Sequence, residues 1–482
     1  VIPPLIGLIP VAYPPVVMST QHDSALMLSV SGARGIVGSS MTPAIAATLA
    51  QAYGQDLRAS MGVGGTVVIG RDGRPSGAAL EEAARAALTA MGFRAVLLGV
   101  VATPTTAVMV KHLNAVGGVV ITASHNPIQW NGVKFLTAEG AAPARQQAQR
   151  IIDRFRATEV EAARALATSQ ALQDDSGPRV HVEKVLSNIN VDAIRRCRFK
   201  VALDSVNASG CVAGRVLLEQ LGAEVVHLNG EPTGVFAHTP EPMRENLTDL
   251  AEQVAQHHAN VGFAQDPDAD RLAIVDEQGR YIGEEYTFAL AAEEILWRET
   301  QDNAANKSVA VNLSSSRMID DVVARHGGSV IRTPVGEANV VEAMKTHHCI
   351  AGGEGNGGII WPRICYVRDS LSGMALVLSL LARHGEPLSH VVEAMPAYAI
   401  EKTKTPIRPG LTDLAINALA DRFPDARQDR QDGLRLDWPD RGSWLHVRAS
   451  NTEPILRLIA EARDQTSAKA IITEAADLIG AL

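Results

Sequence analysis

From Leu28 onward the chain alternates short apolar runs with helical stretches, and that alternation limits the fold more than any other feature. Residues 66–70, 95–99 and 119–121 read as strands, and helices are expected over 43–52, 79–91 and 104–113. Strand–helix alternation of this kind predicts a mostly parallel sheet with helical crossovers. The pattern restarts at strand 200–203, with a further strand at 224–228, and again at 309–312. It ends with strand 444–447 and an amphipathic helix over 467–478. The expected class is therefore α/β: three similar mixed-sheet α/β units followed by a smaller α+β C-terminal unit. At ~150 residues per domain, 482 residues accommodate three or four.

Composition narrows the partners. With 46% hydrophobic residues every unit can have a core, and only 4% aromatics suits tightly packed α/β layers. A net charge of −9 without a basic run argues against nucleic acid. No apolar run is long enough for a membrane span. Cys197, Cys211, Cys349 and Cys365 are scattered and lack CxxC spacing, which fits a reducing cytoplasm. Residues 1–17 are apolar but proline-rich and have no basic n-region, so 1–27 is expected to be a disordered extension rather than a signal peptide, translated from a start upstream of Met18 or Met27. The expected units are 28–170, 171–281, 282–398 and 399–482, with linkers around 174–178 and 402–409.

Four polar loops carry the chemistry. The strand ending at Ile121 runs into Thr122-Ala123-Ser124-His125-Asn126-Pro127. Ligands in open α/β sheets bind beyond the carboxyl ends of strands, so Ser124 can be a nucleophile or phosphate carrier, although a capping serine is the plainer reading. Asn131-Gly132 is expected to make a tight turn into strand 133–136. In Asp266-Pro267-Asp268-Ala269-Asp270-Arg271, carboxylates at alternate positions can converge on a hard cation, Mg²⁺ or Ca²⁺. A helix–loop–helix calcium site shares this spacing, with Glu277 at its twelfth place, but Arg271 stands where it needs glycine. A solvated acidic turn is the other rival.

The third loop, Gly352-Gly353-Glu354-Gly355-Asn356-Gly357-Gly358, offers Glu354 and Asn356 at i and i+2, suited to a pair of sugar hydroxyls; a flexible loop is the alternative. The fourth, Arg448-Ala449-Ser450-Asn451-Thr452-Glu453-Pro454 with Arg457 beyond it, fits an oxyanion, against a capped turn with surface arginines. Near the start, Ser31-Gly32-Ala33-Arg34-Gly35-Ile36-Val37-Gly38 places one arginine in a glycine-punctuated loop.

Together and in this order, the four loops resemble the α-D-phosphohexomutase superfamily of phosphoglucomutases, phosphomannomutases and phosphoglucosamine mutases. The resemblance covers nearly all of the chain from Leu28. It implies four domains around a central cleft, the fourth closing over substrate phosphate. It implies that Ser124 is a phosphoserine that interconverts hexose 6-phosphate and hexose 1-phosphate through a bisphosphorylated sugar, with a hexose 1,6-bisphosphate primer. Ser124, Asp266, Asp268 and Asp270 would hold one Mg²⁺. Arg34 and Arg271 would stabilise the transferring group, and Lys134 and His125 would support proton transfer and phosphate positioning. Glu354, Asn356 and Gly336 would bind sugar. Arg448, Ser450, Asn451, Thr452 and Arg457 would bind phosphate. Many members carry Ser at the position of Asn356 and His at that of Gly358, and the histidine-bearing substrate loop of some members has no match in Thr333-Pro334-Val335-Gly336-Glu337. The loop style favours glucosamine phosphate over mannose or glucose phosphate. A non-catalytic sugar-phosphate binding protein and a hydrolase with Asp266 as nucleophile are the rival functions. Monomer and dimer both stay open.

Overall fold

The computed structural model describes residues 26–62, 64–158, 172–301, 306–450 and 454–482. Three sheets repeat one plan. In the first, Arg94–Val100, Thr66–Arg71 and Gly117–Ile121 run parallel, and Trp130–Thr137 returns antiparallel beside Gly117–Ile121. In the second, Glu224–Leu228, Lys200–Asp204 and Val261–Gln265 are the parallel strands and Leu272–Asp276 returns. In the third they are Ser329–Thr333, Ser308–Asn312 and Ala351–Glu354, with Gly358–Ile360 returning. Strands covered on both faces read as continuous apolar runs, and Gly117–Ile121 and Val261–Gln265 are buried throughout.

The shared plan decides where the chemistry sits. In each unit the third parallel strand turns directly into the antiparallel fourth, so a short loop projects from the carboxyl end of a parallel strand. Those three loops carry Ser124, then Asp266, Asp268 and Asp270, then Asn356 with Glu354 at the strand's last position.

One apolar core runs through the three units. Helix Ser370–His384 is buried from Ser370 to Leu381 and packs on Glu284–Gln301. Its N-cap, Asp369, accepts from the amides of Leu371 and Ser372. Asp369 also meets His181 Nε2 at 3.1 Å, and His181 Nδ1 lies 3.0 Å from Thr105 Oγ1, so one buried Thr–His–Asp chain ties the three units together.

The fourth sheet is antiparallel, in the order Ala399–Pro406, Ile455–Ala462, Ser443–Ala449, Leu434–Trp438, Arg427–Asp429. It has its own core of Leu434, Leu445, Leu456 and Ile472. It meets the third unit through polar contacts: His446 Nδ1 with Ser314 Oγ at 2.8 Å, Arg317 N donating to Glu461 at 2.8 Å, and Lys402 with Glu284 at 2.6 Å.

Several local expectations are corrected. Asn131-Gly132 is not a turn. Both residues lie inside strand Trp130–Thr137, and glycine is needed there because a Cβ on Gly132 would fall 2.4 Å from the Ala33 carbonyl of the next strand. The expected linker at 402–409 begins as strand Ala399–Pro406, whose alternating exposed and half-covered residues suit an edge strand. The expected linker at 174–178 contains the start of helix Gly177–Leu186, and Leu172–Gln173 adds to the edge of the first sheet, past the boundary expected at 170. Helix Pro43–Met61 runs well beyond 52. Of the expected extension, residues 1–25 lie outside the described residues, and Met27 opens the first strand. All four cysteines are free, and Cys197 alone is exposed.

Candidate active site

Ser124 is fully buried, with φ +51°. A non-glycine residue in the left-handed region is strained and needs its surroundings to hold it there. Arg74 does so. Its guanidinium donates to the carbonyls of Ser124 (2.5 Å), Asn126 (2.7 Å), Pro127 (2.7 Å) and Trp130 (2.9 Å). Arg74 is itself buried against Asp72, at 2.8 Å, and lies under the Phe236 ring of the second unit. Asp72 also accepts from Thr122 Oγ1, which in turn accepts from Ser124 N.

So held, Ser124 Oγ donates to Asp266 Oδ2 at 2.9 Å and lies 3.3 Å from His125 Nδ1. Ligand oxygens of Asp266, Asp268 and Asp270 gather within 4.8 Å of one another, and all three residues are buried. Asp266 Oδ1 accepts from the amides of Asp270 and Arg271, which curls the loop around it. Thr103 Oγ1 and Lys134 Nζ reach Asp268 Oδ2 at 2.7 and 2.6 Å, and Lys134 also reaches Asp270 at 3.2 Å. Burial, then the charges of Asp268 and Asp270, push the Asp266 carboxyl well above the carboxylate range. Burial is the largest influence on Asp268 and opposes its ionisation, but the Lys134 charge and the hydrogen bonds from Lys134, Thr103 and Asp266 together outweigh it and hold the carboxyl far below that range. The same two carboxylates overcome burial at Lys134 and raise its ammonium.

The donor set fits a hard divalent cation. Asp268 Oδ1 and Asp270 Oδ1 are buried and have no hydrogen-bond partner, a costly arrangement for two carboxylate oxygens unless a cation faces them. Around the cluster, Arg34 donates to Asn126 Oδ1 at 3.0 Å, and burial lowers its guanidinium. Arg271 stands 4.0 Å from Glu241. Burial, followed by the charges of Arg271, Arg34 and Arg368, pushes His125 down to about 2, so its imidazole is neutral.

Glu354, Gly336, Asn356 and Arg448 connect to this cluster through hydrogen bonds and ion pairs. Glu354 accepts from Asn312 at 2.9 Å and from Gly336 N at 3.2 Å, which brings two expected sugar-binding residues together. Asn356 Oδ1 lies 3.4 Å from Arg368, which also binds Glu354 and Asp270. Val335 N donates to Asp432 Oδ2, and Arg448 pairs with that same oxygen at 3.2 Å. Arg448 and Arg457 are directly opposed on neighbouring strands, and Lys404 opposes Arg457 on its other side. Three cations in one row repel each other, as fits a place for an anion. Ser450 N donates to Ile455 O at the base of this hairpin, while Asn451 and Thr452 lie outside the described residues. The sequence reading missed Arg74, Asp72, Arg368 and Asp432. Arg74 and Asp72 stand out in the sequence only as members of the charged loop Arg71-Asp72-Gly73-Arg74-Pro75-Ser76-Gly77, which does not reveal their role.

Comparison with known proteins gives this constellation a family. The descriptions of phosphoglucomutase/phosphomannomutase alpha/beta/alpha domains I, II and III match residues 26–162, 179–279 and 284–398, and that of the C-terminal domain matches 409–478. The chain belongs to the phosphoglucomutase/phosphomannomutase family. Its phosphohexomutase relatives include a protein of Methanopyrus kandleri named "Probable phosphoglucosamine mutase", 36% identical over 93% of this chain and 96% of that one. A "Phosphoglucomutase/phosphomannomutase" of Thermococcus kodakarensis is 33% identical over 91% of this chain and 95% of the relative. The crystal structure of a phosphoglucomutase/phosphomannomutase family protein from Burkholderia thailandensis superimposes with a TM-score of 0.79 at 27% identity, covering 94% of this chain and 98% of that one. Among the described residues, no helix is long and apolar enough to cross a membrane.

Proposed function

We propose that this phosphohexomutase interconverts hexose 6-phosphate and hexose 1-phosphate through phosphorylated Ser124, with glucosamine phosphate as its sugar and a hexose 1,6-bisphosphate as primer. The observation that carries the reading is the Ser124–Asp266 contact beside two partnerless buried carboxylate oxygens. Asp266, Asp268 and Asp270 would hold Mg²⁺, whose chemistry is to neutralise phosphoryl charge during transfer.

The chain's own residues do the rest. Arg74 fixes the backbone of the Ser124 loop, so Oγ is placed before substrate arrives. Arg34 and Arg271 offer charge to the transferring group. Neutral His125, beside Oγ, can exchange a hydrogen bond as the serine gains and loses phosphate. Glu354 reads hydroxyls, and Arg448 and Arg457 hold the phosphate that is not reacting. Burial of Ser124 keeps water from the phosphoserine. The three-carboxylate cluster and a positioned serine oppose a non-catalytic binding protein.

The name of the M. kandleri relative supports glucosamine phosphate. The T. kodakarensis relative favours a second reading, mannose or glucose phosphate. Four free thiols suit a cytoplasmic setting. The deciding experiment compares kcat/KM for glucosamine, glucose and mannose 6-phosphates with Mg²⁺ and a hexose 1,6-bisphosphate. The reading expects isomerisation, fastest with glucosamine 6-phosphate. Phosphate release without isomerisation would point to a hydrolase.

A further inference from the structure

Arg368 is buried and divides its guanidinium between two loops and Glu337. Nη2 donates to Asp270 Oδ2 at 2.7 Å, in the carboxylate cluster. Nη1 faces Glu354 Oε2 at 3.2 Å and Asn356 Oδ1 at 3.4 Å, in the hydroxyl-reading loop, and Nε donates to Glu337 at 2.9 Å. The side chain reaches this position only because residue 358 is glycine: a Cβ there would lie 2.2 Å from Arg368 Cδ. Asp270 therefore has one oxygen held by Arg368 and Lys134 and the other buried without a partner.

We propose that Arg368 is a positioning residue that couples divalent-cation binding at Asp270 to sugar binding at Glu354. The inference rests on the mutase reading of those two loops. A cation that engages the free oxygen of Asp270 weakens the hold of that carboxylate on Arg368. The guanidinium then turns more fully to Glu337 and Glu354, and Glu354 is fixed for hydroxyl recognition. Linkage makes the effect reciprocal: whatever factor the cation adds to sugar affinity, the sugar adds to cation affinity. A planar fork can hold both loops at once, whereas a lysine ammonium keeps the charge as a single point donor.

The test is calorimetric titration of glucosamine 6-phosphate into the full chain, with Mg²⁺ or with EDTA, for wild type and Arg368→Lys. Wild type is expected to bind the sugar phosphate about 5-fold or more tightly with Mg²⁺, and Arg368→Lys to bring that ratio to about one. General destabilisation would weaken both titrations and leave the ratio intact. Gly358→Ala displaces Arg368 without changing charge and serves as the second variant if Arg368→Lys does not fold; it is expected to lose the coupling as well. A wild-type ratio near one, or an unchanged ratio in the variants, overturns the proposal. Failure of wild type to bind glucosamine, glucose or mannose 6-phosphate would instead overturn the mutase reading beneath it.

Discussion

Ser124 and Asp266 lie 142 residues apart in the chain, yet Ser124 Oγ donates to Asp266 Oδ2 at 2.9 Å in a place closed to solvent. They meet because the first two units send the same hairpin from the same position in the same sheet plan. The third unit adds Glu354 and Asn356 by the same device. Hydrogen bonds continue from there through Gly336 and Val335 to Asp432 of the fourth unit, which forms an ion pair with Arg448.

The cation site gives the first prediction. In wild type, Mg²⁺ should raise the melting temperature, since a ligand that binds only the folded state stabilises it. Asp268→Asn removes one ligand and leaves Lys134 with less to neutralise, so Mg²⁺ affinity should fall at least about 10-fold and the thermal shift should disappear. Differential scanning fluorimetry across a Mg²⁺ series reads both. An unchanged Mg²⁺ response in the variant would place the cation elsewhere.

Arg74 carries the second. It is fully buried, pairs with Asp72 and holds four carbonyls of the Ser124 loop. Arg74→Met leaves Asp72 buried without its cation, a loss of about 3–5 kcal/mol. Denaturant unfolding should show that loss, and kcat should fall with it because Ser124 is no longer held at positive φ. Wild-type stability in this variant would refute the support role.

Glu285 gives a pH dependence. Burial is the main cause that raises its carboxyl to about 8, Glu284 and Glu461 add to it, and Lys402 opposes. In the unfolded chain it ionises near the ordinary value of 4.5. Between those values the folded state binds more protons than the unfolded state, so stability from this group is present below about pH 4.5 and is lost as pH rises towards 8. Glu285→Gln should flatten that slope and be the more stable protein at pH 8. Melting temperatures from pH 5 to 8 would show it; parallel curves for the two proteins would contradict it.

Much of the site was legible because its chemistry is contiguous. Ser124 with its neighbours, and the three aspartates at alternate positions, are local patterns that need no knowledge of the fold. The row formed by Arg448 and Arg457 follows from a hairpin that can be read in sequence. Arg368 and Arg74 were not legible for the opposite reason. Arg368 acquires its role from Asp270, 98 residues away, and from the absent side chain at Gly358, and Arg74 from carbonyls, which leave no trace in residue type. Asn131-Gly132 misled because this pair signals a turn, whereas here close approach of Ala33 demands the glycine inside a strand. The strand at Ala399–Pro406 was hidden by its lysines, which suit a sheet edge as well as a linker.

The central claim is that Ser124 carries the phosphoryl group. Its most direct test is peptide mass spectrometry after incubation with Mg²⁺ and glucose 1,6-bisphosphate, on wild type and Ser124→Ala. The account predicts one phosphate on the peptide that contains Ser124, none in the variant, and loss of isomerase activity on the order of a thousand-fold or more with the fold intact. Phosphate on Asp266, or full isomerase activity in Ser124→Ala, would contradict it.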